Sequence, residues 1–275
     1  MLDQKIGFIG AGNMARSLAS GLISNGLAPD KVTMSDPDAG TRDAIAKQLG
    51  VSVSANNADV VAASDILVFA VKPQVLKDVA VELVNAVQQR RPLVISIAAG
   101  IRSDSLENWL GGNLPLIRVM PNTAALIGSG ASGLFANSRA DKAARNSAET
   151  IMRAVGVVAW VENEAQLDIV TALSGSGPAY YFLVMEALEQ AAVDAGLSPD
   201  IARLLTLETA YGAAKMALEG GEEPAVLRQQ VTSKGGTTER AIAVMEENGI
   251  REIYKKAIYA AAERSAELAK LLGES

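Results

Sequence analysis

At 275 residues the chain is long enough for one large domain or two of ordinary size. Its net charge of −6, with no basic patch, argues against nucleic acid as the main partner. The chain has no cysteine and no histidine, so disulfides, thiolate metal sites, the commonest metal ligand and the commonest acid–base catalyst are all absent. No metal is expected, and any catalysis must work without either residue.

Hydrophobic residues make up 49% of the chain and aromatics only 4%, which predicts an aliphatic core with closely packed helices. The N-terminus runs almost directly into a strand. No apolar stretch is long enough to cross a membrane, so no membrane partner is expected and cytoplasmic residence is the expectation.

The first element is a short apolar strand, Lys5–Ile9, turning at once into a helix over Asn13–Ser24. Gly10, Gly12 and Ala15 between them form the G-x-G-x-x-A version of the dinucleotide fingerprint. Gly10 permits the sharp turn, Gly12 lets backbone approach a pyrophosphate, and Ala15 lets the helix lie close to the strand with its N-terminal dipole toward the phosphates. A second strand, Val32–Ser35, ends at Asp36, the place where such folds set an acidic residue against the adenosine ribose.

Further strands are predicted at Ile66–Ala70, Leu93–Ile97, Leu116–Met120, Ala131–Phe135 and Val157–Val161, with helices at Thr41–Leu49, Val75–Val87 and Arg139–Val155. Short apolar strands alternating with amphipathic crossovers give an α/β Rossmann domain, a mostly parallel doubly wound sheet, over residues 1–163. From Glu164 to Leu272 the strand signal stops. Helices punctuated by Gly175-Ser-Gly-Pro178, Gly196-Leu-Ser-Pro199, Gly220-Gly221 and Lys234-Gly-Gly236 predict an all-α domain over 164–275. Long alanine- and leucine-bearing runs such as Tyr180–Ala195 and Ile201–Leu218 offer more apolar surface than a small bundle can bury alone, so this half is expected to form a subunit interface.

The loops at the carboxyl ends of the strands are where a doubly wound sheet binds its ligand. In Ala70-Val-Lys-Pro73, Lys72 faces a phosphate, lines the nicotinamide side, or is simply a solvated lysine before a helix-starting proline; the residues alone leave these open. Ser96-Ile-Ala-Ala-Gly100 offers small residues to a flat ring. Asn122 or Thr123 either bonds a carboxamide or shapes a turn. Asn56 and Asn57 precede a helix and read more readily as caps than as ribose contacts.

Two segments of the helical half carry unusual polarity. Leu173-Ser-Gly-Ser-Gly-Pro-Ala-Tyr180 sets two serines among glycines before an apolar helix, and free backbone amides there would suit an anion. Val231-Thr-Ser-Lys-Gly-Gly-Thr-Thr238 leads into a helix over Glu239–Asn248. Its hydroxyls and N–H groups suit a carboxylate, or Thr237 or Thr238 is an N-cap with a capping acid in the following turn.

Taken together, Gly7-Phe-Ile-Gly-Ala-Gly-Asn-Met-Ala15, Ala70-Val-Lys-Pro73, Leu173-Ser-Gly-Ser-Gly-Pro-Ala-Tyr180, Gly212-Ala-Ala-Lys215 and Val231-Thr-Ser-Lys-Gly-Gly-Thr-Thr238 resemble the pyrroline-5-carboxylate reductase family, in order and over essentially the whole chain. The resemblance implies a Rossmann domain plus a helical dimerisation domain, dimers assembling into larger homo-oligomers, and reduction of the cyclic imino acid 1-pyrroline-5-carboxylate to L-proline by NADPH or NADH, the last step of proline biosynthesis. It implies cofactor contacts at Ile9, Gly10, Ala11, Gly12, Asn13 and Met14, at Ser35 and Asp36, at Asn57, at Ala70, Val71, Lys72 and Pro73, and at Ser96, Ile97 and Ala98. Substrate contacts are implied at Glu164, Ser233, Gly236, Thr237 and Thr238, with Ser176 or Thr238 near the reacting nitrogen.

Two departures stand out. Asp36 replaces the serine, asparagine or basic residue of relatives that bind a 2′-phosphate, so cofactor preference stays open, with Ser35 or Arg42 as possible compensation. Glu222 and Glu223 stand beyond Gly220-Gly221 where some relatives place a single glutamate, and neither is assigned its part. A β-hydroxyacid dehydrogenase would share the glycine turn and use a lysine such as Lys215, but that family expects asparagine four residues later and Glu219 stands there. A nucleotide sensor without a catalytic pocket is the other rival, and the hydroxyl-rich second glycine loop argues against it. The missing histidine suits an imine, which can be protonated before it binds and so needs no strong protein acid.

Overall fold

The computed structural model describes residues 3–274. Strands and helices alternate through the first half as β1 (Ile6–Ile9), α1 (Asn13–Ser24), β2 (Val32–Ser35), α2 (Ala39–Leu49), β3 (Ser52–Ser54), α3 (Asn57–Ala63) and β4 (Ile66–Phe69). They continue as α4 (Pro73–Glu82), α5 (Val84–Arg90), β5 (Leu93–Ser96), α6 (Ser103–Trp109), β6 (Leu116–Met120), β7 (Gly130–Ala136), α7 (Lys142–Arg153) and β8 (Gly156–Trp160). The strands form one sheet in the order β3-β2-β1-β4-β5-β6-β7-β8. All neighbours are parallel except β6 and β7.

Apolar strands covered on both faces explain the parallel sheet. Along β4, Ile66 and Val68 point into a core layer shared with Leu18 and Leu22 of α1 and Ile151 and Met152 of α7. Leu67 and Phe69 point the other way, into a layer shared with Val60 of α3, Leu76 of α4, Val87 of α5 and Leu106 of α6. Each such side chain, when fully buried, contributes about 1.5–3 kcal/mol.

Three elements depart from the reading of the sequence. The helix expected over Val75–Val87 is two helices, α4 and α5, broken at the buried Leu83, so the chain bends to keep both apolar faces on the sheet. The edge strand β3, Ser-Val-Ser, and the short helix α6 carry too little apolar pattern to be seen in sequence.

After β8 come α8 (Gln166–Val170), a π-helical turn over Thr171–Gly175, α9 (Gly177–Asp194), α10 (Pro199–Glu219), α11 (Pro224–Gln230), α12 (Thr237–Glu247) and α13 (Ile250–Glu274). The chain divides into two compact units, one running to Ser176 and including Ala260 onward, the other Gly177–Tyr259. This division falls beyond the end of the strand signal because α8 packs on the sheet: Leu167 is fully buried, and a Cβ at Gly133 of β7 would lie 2.6 Å from Val170 Cγ1.

The second unit is unusual in how little it buries. Within α9 and α10 only Gly177 and Ala202 are buried. Tyr181, Phe182, Leu183, Leu204, Leu205, Tyr211 and Leu218 are all exposed, Leu218 by 85%. An apolar surface of this extent on helices marks an interaction face.

Candidate functional site

The strand order reverses between β1 and β4, and the crevice beyond their carboxyl ends is where doubly wound sheets take ligands. Gly10 closes β1 there. Its N–H donates to the Ser35 carbonyl (3.0 Å) and the Ala70 N–H donates to the Ile9 carbonyl (2.9 Å), so the ends of β2, β1 and β4 are tied side by side. Gly10 holds φ +94°, and a Cβ on it would stand 2.9 Å from the Ala70 carbonyl oxygen. Glycine is therefore required twice over, by conformation and by contact.

Gly12 differs. It caps α1 with no side-chain hydrogen bond, and a Cβ built on it would meet nothing within 4 Å. The first-turn N–H groups of α1, including those of Asn13 and Met14, have no acceptor within the helix and stand at the positive end of its dipole, behind an N-cap that carries no side chain. That arrangement fits a pyrophosphate. Ala15 is fully buried and lets α1 lie close to the sheet.

Asp36 follows β2. Its Oδ2 accepts from the Ala11 N–H at 3.3 Å and its Oδ1 from the Asp38 N–H at 3.0 Å, so the carboxylate stands beside the glycine turn. Arg42 donates to the Asp36 and Pro37 carbonyls at 2.7 and 2.9 Å, which turns its guanidinium onto the backbone next to Asp36. Asp38 caps α2 by accepting the Thr41 N–H at 2.7 Å, and that bond holds its carboxyl below the usual carboxylate range. Ser35, expected among the cofactor contacts, is 1% exposed, and its hydroxyl donates to the Phe8 carbonyl. Its side chain serves the sheet, and its carbonyl anchors Gly10.

Asn56 caps α3 through the Ala58 N–H (2.9 Å), while Asn57 begins the helix. Lys72 is exposed and precedes Pro73, the first residue of α4, beside Ala70 and Val71. Ser96 and Ala98 are buried at the end of β5, with Ile97 half-buried between them and its N–H donating to the Phe69 carbonyl at 3.1 Å. Asn122 accepts the Ala131 N–H at 3.1 Å and so shapes its turn. The segments at 9–14, 36 and 70–73 are thus drawn together around the reversal of strand order, whereas Ser233, Gly236, Thr237 and Thr238 belong to the other unit.

The serine–glycine run at 173–178 is not an open anion loop. It continues a helix: Thr171–Gly175 is a π-helical turn, the Ser176 N–H donates to the Thr171 carbonyl at 2.8 Å, and the Ser174 hydroxyl donates to the Val170 carbonyl at 3.1 Å. The Ser176 side chain remains half-buried. π turns of this kind often mark functional positions.

At the second glycine loop the N-cap of α12 is Gly236, not a threonine, and no side chain caps it. The Glu239 carboxylate accepts the Gly235 N–H at 2.6 Å, which is the capping acid the sequence suggests. Thr237 and Thr238 occupy the first helical turn, with the exposed Ser233 just before it. A Cβ at Gly236 would fall 2.4 Å from Ser233 Oγ, so a side chain there would push the Ser233 hydroxyl aside. Glu222 accepts from Gln230 at 2.5 Å, and Glu223 precedes α11. Lys215 pairs at 4.0 Å with Glu219 on the surface of α10, unlike a buried acid–base lysine.

Glu164, expected to meet the substrate, is engaged inside the fold. Oε1 accepts from the Ser103 N–H (2.7 Å) and Arg118 Nη1 (3.0 Å), and Oε2 accepts from the Ser103 hydroxyl (2.6 Å). Arg118 is 3% exposed in the middle of β6. Sequence reading missed Ser103 and Arg118, although one signal existed: a charged residue inside Leu116-Ile-Arg-Val-Met120 must find a partner when buried. Nearby, Asp168 accepts from the Ser265 hydroxyl at 2.7 Å, a pairing across 97 residues that no local pattern announces.

Comparison with known proteins covers both halves. Residues 164–268 match the family model described as pyrroline-5-carboxylate reductase dimerisation, and residues 5–100 match one described as NADP oxidoreductase, coenzyme F420-dependent. A pyrroline-5-carboxylate reductase of Pseudomonas aeruginosa is 48% identical over 274 residues, covering 100% of each chain. The structure of a pyrroline-5-carboxylate reductase from Coxiella burnetii superposes with a TM-score of 0.94 at 46% identity, covering 97% of this chain and 99% of that one. The Plasmodium falciparum pyrroline carboxylate reductase, solved with NADP bound, superposes at 0.85 with 28% identity, covering 98% and 99%.

Proposed function

The chain belongs to the pyrroline-5-carboxylate reductase family, and from that premise we propose that it reduces 1-pyrroline-5-carboxylate to L-proline with NADPH or NADH. The observation that carries the reading is the uncapped, exposed N-terminus of α1 at Gly12, two residues beyond Gly10, which closes β1 against Ala70 where the strand order reverses. When bound there, the nicotinamide nucleotide supplies the hydride.

The residues of the first unit do the holding. The α1 amides at Asn13 and Met14 take the pyrophosphate, Asp36 faces the adenosine ribose, and Ala70–Pro73, Asn57 and Ser96–Ala98 bound the rest of the nucleotide. Residues from 164 onward, where the dimerisation match begins, supply the substrate half. Ser233, Gly236, Thr237 and Thr238 anchor the substrate carboxylate at the start of α12, where hydroxyls and the helix dipole favour an anion. Ser176 or Thr238 hydrogen-bonds near the ring nitrogen. Orientation then accounts for most of the rate, since holding reactants in line contributes up to about 7–11 kcal/mol in favourable cases, and a substrate already protonated as the iminium leaves a neutral amine that needs no protein acid.

Purified protein should oxidise NADPH or NADH, followed by loss of nicotinamide absorbance, only when pyrroline-5-carboxylate is added. Tight nucleotide binding with no turnover would favour the sensor reading instead.

The homodimer is part of the same proposal, supported by the bare apolar faces of α9 and α10; assembly into larger homo-oligomers goes with it. Sedimentation equilibrium should give at least twice the monomer mass at micromolar concentration, and a monomer would remove the claim. Among the described residues no helix is long and apolar enough to cross a membrane. Cytoplasmic residence belongs to this proposal, supported by a chain that has no cysteine to form a disulfide.

A further inference from the structure

The segment 97–102 joins β5 to α6 and follows directly on Ser96. Its far end is gripped from several sides. Glu164 holds Ser103 at both its N–H and its hydroxyl, with Arg118 against the same carboxylate. Asp168, 6% exposed, accepts from Ser265 Oγ at 2.7 Å and stands 3.9 Å from Arg102 Nη2. Gly100, at φ +73°, approaches α13 so closely that a Cβ on it would lie 3.2 Å from Leu272 Cδ1. A Cβ at Gly273 would in turn lie 3.0 Å from Ser105 Oγ of α6.

Stability alone does not call for this chemistry. A buried ion pair gains little over well-packed apolar side chains of the same volume, because desolvation offsets the attraction. What two carboxylates and directed hydrogen bonds add is a fixed geometry for the groups they hold. Those groups, Arg102 and Ser103, end the segment that begins at the proposed nicotinamide-side residues Ser96–Ala98.

We propose that Asp168 and Ser265 are positioning residues for the nucleotide: by tying the last turns of α13 to Arg102, and with Glu164 holding Ser103, they keep segment 97–102 in the shape that receives the cofactor. The proposal rests on the assignment of Ser96–Ala98 to the cofactor site.

Full-length Ser265→Ala and Asp168→Asn test it by hydrogen exchange of the ligand-free protein, nucleotide affinity from NADPH and NADH fluorescence, and KM for pyrroline-5-carboxylate at saturating cofactor. Exchange should quicken over 97–103 and stay unchanged over β1 and α1. The nucleotide Kd should rise about threefold to tenfold, the size of one ordinary hydrogen bond's net contribution, while KM for the imine stays put. Leu272→Ala, which loosens α13 against Gly100 without touching a buried polar group, gives the same readouts should Asp168→Asn fail to fold. Unaltered exchange over 97–103, or faster exchange with unaltered nucleotide Kd, overturns the proposal while leaving wild-type binding intact. Wild-type protein that binds neither nucleotide overturns the reductase reading, and the positioning role falls with it.

Discussion

Gly10 and Ala70 meet so closely at the ends of β1 and β4 that a Cβ on the first would stand 2.9 Å from the carbonyl oxygen of the second, whereas Gly12, two residues on, faces open space. The two glycines of one motif therefore have separable duties. Gly10 belongs to the fold and Gly12 to the ligand.

Gly10→Ala should lower stability by at least about 1–3 kcal/mol, the cost of a strained backbone conformation, before the overlap with Ala70 is counted. Gly12→Ala, at an ordinary φ of −69°, should leave the melting temperature nearly unchanged and weaken nucleotide binding. Thermal unfolding and nucleotide titration of the two variants separate the effects. Equal stability of both proteins would contradict the assignment of Gly10.

Asp36 offers a test of cofactor choice. Its carboxylate lies beside the glycine turn and the Arg42 guanidinium lies next to its backbone. Asp36→Ser removes a negative charge from the ribose side and leaves Arg42 in place, so kcat/KM for NADPH relative to NADH should rise by an amount equivalent to roughly 1–3 kcal/mol. An unchanged ratio would mean that Asp36 does not face the adenosine 2′ position.

Thr238 lies in the first turn of α12 and does not cap it. Thr238→Ala should weaken binding of the substrate and of proline together, since both carry the carboxylate, with Thr238→Ser far milder. Binding can be read by calorimetry with proline and KM with substrate. A variant that binds both normally and loses only kcat would make Thr238 a transition-state group.

The pairing of Glu149 with Trp160 links α7 to β8 and gives a pH signature. Trp160 Nε1 donates to Glu149 Oε2 at 2.9 Å and Arg153 donates to Oε1 at 2.8 Å, and these hold the Glu149 carboxyl below its ordinary value, the indole bond being the larger cause. A pKa lowered in the folded state stabilises above the unfolded value, and that stability is lost as pH falls through the folded pKa. The Trp160 indole N–H resonance should therefore titrate with a midpoint below about 4.3, the usual glutamate value, and Glu149→Gln should flatten the acid side of the stability curve. A midpoint at the usual value would show the bond to be absent in solution.

What could be read in the sequence was what depends on neighbours along the chain. Gly10, Gly12 and Ala15 stand out because a tight strand-to-helix turn restricts residue type at fixed spacing, and β4 stands out because a strand buried on both faces must be apolar throughout. Leu83 breaks a helix for a reason that lies in the sheet beneath it. The π-helical turn at Thr171–Gly175 absorbs a glycine–serine run that in isolation reads as a loop. Glu164 and Ser103 lie 61 residues apart, so nothing local tells a carboxylate that holds the protein from one that holds a substrate.

The last helix also sets an order on synthesis. The unit that carries the glycine turn is not one continuous stretch, because Ala260 onward completes it. Strands and helices up to Ser176 leave the ribosome first, and at about 5–20 residues per second several seconds pass before Ser265 and Leu272 follow. Through that interval Asp168 lacks its hydroxyl partner and Gly100 its apolar cover, so the nascent nucleotide fold stays incomplete until α13 has emerged. Deletions at the C-terminus thus act on the far half of the gene product, and a stop codon before residue 260 removes part of the first unit along with the end of the second.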